Sequence, residues 1–219
     1  MSAKEELIKL LNGFGGHYSK YDIFVDWVTL MALSITNSTD LVHNDTWKQR
    51  EKRCLDIVNR HSKEEFETLQ KMFFLLTVAL DENIEDVLGE VYMKSECGNK
   101  TTGQFFTPVH IQELLAQMKL EDMKEQIATN GTILMNEPSC GGGGMILATA
   151  KVLKDNGINY QKVLKVTAND LDWKAIFMTY VQLSLIGIDG VVIQGDTLKC
   201  APPTADCIFE TPVRKGLIL

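Results

Sequence analysis

Asn-Glu-Pro-Ser-Cys-Gly-Gly-Gly-Gly-Met-Ile, residues 136–146, decides how this chain is read. It follows the apolar run Thr-Ile-Leu-Met at 132–135 and opens a helical pattern, so the local order is strand, glycine-rich turn, helix. Such a turn points unpaired N–H groups and the positive end of a helix dipole at whatever lies beyond the strand. Glycine at these positions lets another molecule approach the backbone. The expectation is a cofactor loop.

Working outward, the hydrophobic period alternates. Strand 132–136 is followed by the glycine loop, a helix to about 155, strand 163–168, helix 173–186, strand 191–194 and a short strand near 206–209. This order predicts a parallel sheet with right-handed crossovers. Ligands of such sheets lie beyond the carboxyl ends of the strands.

The first 80 residues contain nothing that reads as strand. Ser2 with Glu5 and Ser62 with Glu65 are capping boxes, Asp45 and Thr46 can start a helix carrying Trp47, Cys54, Leu55 and Val58, and residues 21–33 are apolar enough for a buried helix. Gly-Phe-Gly-Gly at 13–16 breaks the first helix. Residues 1–83 are therefore expected to form an N-terminal helical module. From 84 a short helix gives way to a polar loop, and Pro108 suits the first turn of the helix that follows.

The residues at the predicted strand ends narrow the ligand. Glu137 ends the first strand, Asp170 and Asp172 follow the second, and Gly195, Asp196 and Thr197 follow the third. Carboxylates from three strand ends around one crevice would repel an oligophosphate. They suit hydroxyls, an amino group and a positive centre, and an acidic residue after the second strand is the usual partner of ribose hydroxyls. Neither Gly-x-Gly-x-x-Gly nor Gly-Lys-Ser/Thr occurs, which weighs against NAD and ATP. A nucleoside bearing an amino acid, S-adenosylmethionine, fits best.

Composition sets outer bounds. The chain has 219 residues, 45% of them apolar, enough for one domain or a domain with a large appendage. No stretch approaches the about 18 apolar residues of a membrane span. The N-terminus does not resemble a signal peptide, so the expected location is cytoplasmic. Five scattered cysteines without a Cys-x-x-Cys pair predict reduced thiols and no metal site. A net charge of −7 works against binding DNA unaided. The densest basic segment, residues 48–53, has acids nearby and reads as a solvated helix face.

Four motifs, in order, resemble the N6-adenine DNA methyltransferases of the kind that form the methylation subunit of type I restriction–modification systems. Gly103, Gln104, Phe105, Phe106, Thr107 and Pro108 match a loop that precedes the cofactor strand in that family. Glu137, Pro138, Ser139, Cys140, Gly141, Gly142, Gly143 and Gly144 match its Asp-Pro-Ala-Cys-Gly-Ser-Gly-Gly. Asp170, followed by Leu171, matches its acidic residue after the second strand, and Gly195, Asp196, Thr197 and Leu198 match Gly-Asp-Thr/Ser-Leu. The resemblance covers residues 84–213. It implies an α/β fold in which the helical module precedes a partial, Rossmann-like S-adenosylmethionine-dependent methyltransferase sheet over 84–219. It implies Thr107 near the methionine carboxylate, Glu137 near its amino group, Gly141 and Gly143 for close backbone approach, Asp170 on the ribose and Asp196 on the adenine. Cys140 has no histidine nearby in sequence and reads as a packing residue.

One motif departs from the pattern. The family does its chemistry with Asn/Asp-Pro-Pro-Tyr/Phe after the fourth strand, where acceptors hold the target amino group and the ring stacks on the flipped base. Here Glu210, Thr211, Pro212, Val213 and Arg214 fall at that place. Thr211 and Pro212 are thus the candidate catalytic positions, without the amide and the ring. Four of the family's seven strands can be counted, so the sheet is expected to be truncated after the fourth, with an uncovered edge. Two readings follow. One is an adenine methyltransferase that needs a partner to supply DNA contacts, its sheet edge covered in a homo-oligomer or hetero-complex. The other is a non-catalytic S-adenosylmethionine-binding or acidic interaction protein that regulates or inhibits a restriction–modification complex.

Overall fold

The computed structural model describes residues 2–14, 18–95, 106–199 and 202–217. Gly103, Gln104 and Phe105 of the polar loop, Gly15 and Gly16 of the first break, and Cys97 and Cys200 lie outside the described residues.

Five helices come first: α1 (Ala3–Gly13), α2 (Lys20–Thr39), α3 (Asp45–Val58), α4 (Lys63–Glu82) and α5 (Val87–Lys94). Three begin with a reciprocal capping box. Ser2 with Glu5 and Ser62 with Glu65 stand where the spacing predicts, and Ser19 with Asp22 caps α2 in the same way with the shorter acid. Asn44 caps α3 and Asp86 caps α5. The basic segment of α3 is only partly a solvated face: Arg50 pairs with Asp40, and the Arg53 guanidinium stands 5.6 Å over the Phe177 ring.

Next come α6 (Val109–Met118) and α7 (Leu120–Asn130), the latter without a counterpart among the expected elements. Gly131, at φ 74°, ends α7 in the left-handed conformation. The alternating part then runs β1 (Ile133–Glu137), α8 (Gly144–Asp155), a single turn α9 (Tyr160–Val163), β2 (Leu164–Asp170), α10 (Trp173–Leu185), β3 (Asp189–Gln194) and β4 (Ile208–Glu210). The sheet order is β1-β2-β3-β4. β1, β2 and β3 are parallel, with Ile133 opposite Leu164 and Lys165 opposite Asp189.

The fourth strand corrects the expectation of an all-parallel sheet. β4 pairs antiparallel with β3, Val192 opposite Phe209. Between the two strands the described residues hold only the 3-10 turns 197–199 and 205–207. A parallel return needs a crossover that carries the chain back along the sheet, normally a helix, whereas an antiparallel partner does not.

The sheet is covered on one face. Ile133, Leu164, Val166, Ala168 and Val192 are buried, while Leu134, Asn136, Lys165 and Thr167 are exposed. Leu134 is 77% exposed. Helix α10 packs on the covered face and also along α2, and one continuous core runs from Leu7 and Leu11 through Trp27 and Tyr92 to Phe177 and Phe209. The core runs across residue 83 without a break, and helices continue to Asn130 before the first strand. Among the described residues, no helix is long and apolar enough to cross a membrane.

Candidate functional site

The glycine loop lies at the carboxyl end of β1, beside the carboxyl end of β2. Gly141 (φ 54°) and Gly143 (φ 89°) take the left-handed conformation that side chains disfavour. Three neighbours hold the loop onto the sheet: Cys140 N donates to Asn169 O at 2.8 Å, Gly141 N donates to Asp170 Oδ2 at 2.9 Å, and Thr197 Oγ1 donates to Pro138 O at 2.8 Å. Gly195 N donates to Asp170 O at 2.9 Å, which joins the end of β3 to the same cluster. Glu137, Gly141, Asp170, Asp196 and Thr197 thus meet at one end of the sheet, where the alternating pattern placed them.

The glycines answer to protein neighbours as well as to any ligand. A Cβ on Gly141 would stand 2.9 Å from Phe106 Cε1, one on Gly142 2.5 Å from the Asp86 carboxylate, and one on Gly144 2.1 Å from Gln112 Nε2. On Gly143 it would meet Thr179 Oγ1 at 3.2 Å. Four glycines in a row reflect four side chains pressed on the loop. Phe106 is held in turn by Tyr92, edge to face at 5.8 Å, and Tyr92 takes a hydrogen bond from Lys174 Nζ at 3.0 Å. Lys174 also pairs with Asp172 at 3.2 Å.

Each carboxylate has a distinct environment. Asp170 accepts from two backbone groups, Gly141 N through Oδ2 and Asp172 N through Oδ1 at 3.0 Å. Asp172 N-caps α10, accepting from Lys174 N at 2.8 Å. Glu137 accepts from Ser139 N at 3.3 Å. Burial raises its pKa above the ordinary carboxylate value and the nearby Asp170 charge adds to this, against the Ser139 hydrogen bond. Asp196 caps the turn after β3, accepting from Leu198 N at 3.1 Å, with Lys199 Nζ at 3.4 Å. Leu171, 64% exposed, presents an apolar side chain at the end of β2. Helix α8 begins at Gly144 with no side-chain cap, so its first-turn N–H groups are not taken by a capping side chain.

Other residues read from the sequence stand as follows. Pro138 and Ser139 are exposed on the loop, and Thr107 and Pro108 are exposed at the start of α6, with Thr107 O accepting from Gln112 Nε2 at 2.7 Å. Cys140 is buried, and burial pushes its thiol up to about 12, so it is a neutral packing group at physiological pH. Cys54 and Cys207 are also free thiols.

Thr211 and Pro212 are not brought to this site. Thr211 is fully buried, its Oγ1 donating to Ile188 O at 2.7 Å and accepting from Gly190 N at 3.0 Å. Those partners flank the amino end of β3, opposite the glycine loop. The physical reason is the direction of β4: running antiparallel, it carries its carboxyl end away from the carboxyl ends of β1–β3. The segment 202–207 comes to the site's side instead, with Cys207 Sγ 3.6 Å from Gln194 Oε1. Sequence reasoning missed Asp86, Gln112, Thr179 and Gln182, which shape the loop. Their signal was present for α10, as polar residues inside an otherwise apolar helix.

The residues gathered here can hold a cationic amino-acid tail, a pair of hydroxyls and a flat apolar ring. They offer carboxylates at Glu137 and Asp170, helix N-terminal donors at α8 and an exposed leucine. A comparison with curated proteins gives no match. The family model described as N-6 DNA methylase matches residues 83–211, which span β1 to β4, the glycine loop and α5. With more than half of its length covered by that model, the chain belongs to the N-6 DNA methylase family.

Proposed function

We propose that the chain binds S-adenosylmethionine at the carboxyl ends of β1 and β2, and that with a partner it serves methyl transfer to the 6-amino group of adenine in DNA. The observation that carries this reading is the pairing of Glu137 and Asp170 across a glycine loop whose helix has no side-chain cap. Glu137, half-buried and facing the Asp170 charge, is stabilised as a carboxylate by an incoming ammonium or sulfonium. Each Asp170 oxygen accepts one backbone N–H and keeps a lone pair for a ribose hydroxyl. Leu171 offers its exposed face to the adenine ring, and Asp196 and Thr197 border it. Phe106 fixes the loop from above, with Thr107 and Pro108 beside the first turn of α6, where a carboxylate is favoured. When bound, the group supplies a methyl carried on a positively charged sulfur.

A partner enters for two reasons. A net charge of −7 gives little affinity for phosphates. The exposed face around Leu134 and the outer edge of β1, which pairs with no other strand among the described residues, also suit a second polypeptide, in a homo-oligomer or a hetero-complex. The burial of Thr211 and Pro212 away from the loop favours a second reading, a non-catalytic S-adenosylmethionine-binding protein that regulates a restriction–modification complex.

Calorimetric titration with S-adenosylmethionine tests the binding claim. Saturable heat is expected with the intact chain and at least tenfold weaker binding with Asp170→Ala; no heat from the intact chain sinks both readings. If binding occurs, labelled methyl transfer to mixed-sequence duplex DNA, with and without a restriction–modification partner, separates the enzyme from the regulator.

A further inference from the structure

Gln182 is fully buried in α10, among apolar neighbours such as Met178, Val181 and Leu183. Its side chain reaches three partners on two other elements. Oε1 accepts from Leu88 N at 3.0 Å, and Nε2 donates to Asp86 Oδ1 at 3.0 Å and to Gly142 O at 2.6 Å. One turn earlier on the same helix face, Thr179 Oγ1 donates to Gly141 O at 2.9 Å. Two side chains of α10 therefore grip successive carbonyls of the glycine loop.

That grip has a directional consequence. A trans peptide points its N–H opposite to its C=O. Drawing the Gly141 carbonyl toward α10 turns the Gly142 N–H away from α10. Drawing the Gly142 carbonyl the same way sets the Gly143 N–H, which donates to Cys140 O at 2.7 Å and closes the turn. Asp86 completes the arrangement from α5. It accepts from Gly89 N at 2.8 Å and sits in a slot between two glycines: a Cβ on Gly89 would lie 2.2 Å from Asp86 Oδ2. Burial raises the pKa of Asp86, so the slot carries an electrostatic cost that an aliphatic filling would avoid. What the polar set supplies is one fixed geometry.

We infer that Gln182, acting with Thr179 and Asp86, is a positioning residue that turns the Gly142 N–H away from α10 and fixes the turn that the Gly143 N–H closes, so that ligand affinity at the loop is set from α10 and α5. The inference rests on the S-adenosylmethionine reading for its ligand and on the hydrogen bonds alone for the loop geometry.

Two measurements on the full chain separate those dependencies: 1H–15N spectra of the Gly142 and Gly143 amides without ligand, and calorimetric affinity for S-adenosylmethionine. Gln182→Met keeps the length of the side chain and removes all three hydrogen bonds. It is expected to shift both glycine resonances and to weaken binding at least tenfold at a temperature where it is folded. Leu183→Ala, whose side chain faces Gly190 at the amino end of β3, is the control for lost stability alone. It should lower the melting temperature while leaving the glycine resonances and the affinity within twofold of wild type. Thr179→Ser should retain wild-type resonances and affinity where Thr179→Val does not, and this pair decides the matter if Gln182→Met fails to fold. If Gln182→Met and Thr179→Val change only the melting temperature, the positioning role is overturned. If the wild type gives no binding heat but the glycine resonances move as expected, the ligand reading fails and the positioning role stands.

Discussion

At Glu137, burial raises the carboxyl pKa and the Asp170 charge adds to it, so folding without ligand disfavours the ionised form relative to the free side chain. For an acid with a raised folded pKa, the contribution to stability is full below the unfolded value and is lost as pH rises through the folded one. At neutral pH this side chain therefore weakens the ligand-free fold, and a bound cation offsets the loss. Glu137→Gln is expected to raise the melting temperature at pH 7 by about 1–3 °C and to lower S-adenosylmethionine affinity by about tenfold. Scanning calorimetry at pH 4 and pH 7 checks the sign: the gain should shrink at the lower pH. A variant less stable than wild type at pH 7 would show that Glu137 is held by contacts that outweigh its burial.

At the scale of the element, β4 turns a position expected to be catalytic into a structural one. Thr211 bridges Ile188 O and Gly190 N and leaves no part of its side chain exposed. Thr211→Val keeps the shape and strands both backbone groups, at a cost of about 2 kcal/mol. Denaturant unfolding should register that loss, and S-adenosylmethionine affinity should stay within twofold of wild type. A fall in affinity beyond what the lost stability explains would return Thr211 to the site. Helix α10 has the opposite character: its apolar residues join the core, while Thr179 and Gln182 hold the glycine loop.

For the whole molecule, the shared core predicts cooperative behaviour. Helix α10 packs along α2 as well as on the sheet, and the core is continuous from α1 to β4. A single calorimetric transition is expected, and residues 84–219 expressed alone should lack a sharp transition because the buried face of α10 loses its cover. Two resolved transitions, or a cooperatively folding 84–219 fragment, would show that the helical module and the sheet are independent units. The bare face of the sheet belongs to this scale too. Its alternation of exposed Leu134, Asn136, Lys165 and Thr167 with buried or half-buried neighbours is that of a sheet covered on one side, unusual where most strands are parallel.

What the sequence determined by itself was local and periodic. The capping boxes at Ser2 and Ser62, the strand–glycine loop–helix order at 132–155, and the placing of Glu137, Asp170 and Asp196 at strand ends all follow from short-range spacing. That is why the fold class and the gathering of the candidate site could be read from residues alone. The shorter Ser19/Asp22 box and α7 are equally local in origin. Other features depend on contacts between residues far apart in the chain. The direction of β4, and with it the removal of Thr211 and Pro212 from the loop, was decided by which strand β4 could pair with after a connection whose described residues form only 3-10 turns. The crowding of the four successive glycines comes from Phe106, Asp86, Thr179 and Gln112 arriving from three other helices and a loop. The grip of Gln182 on Gly142 joins residues 40 positions apart. No spacing rule reaches that far, because such contacts exist only once the helices and the sheet have packed.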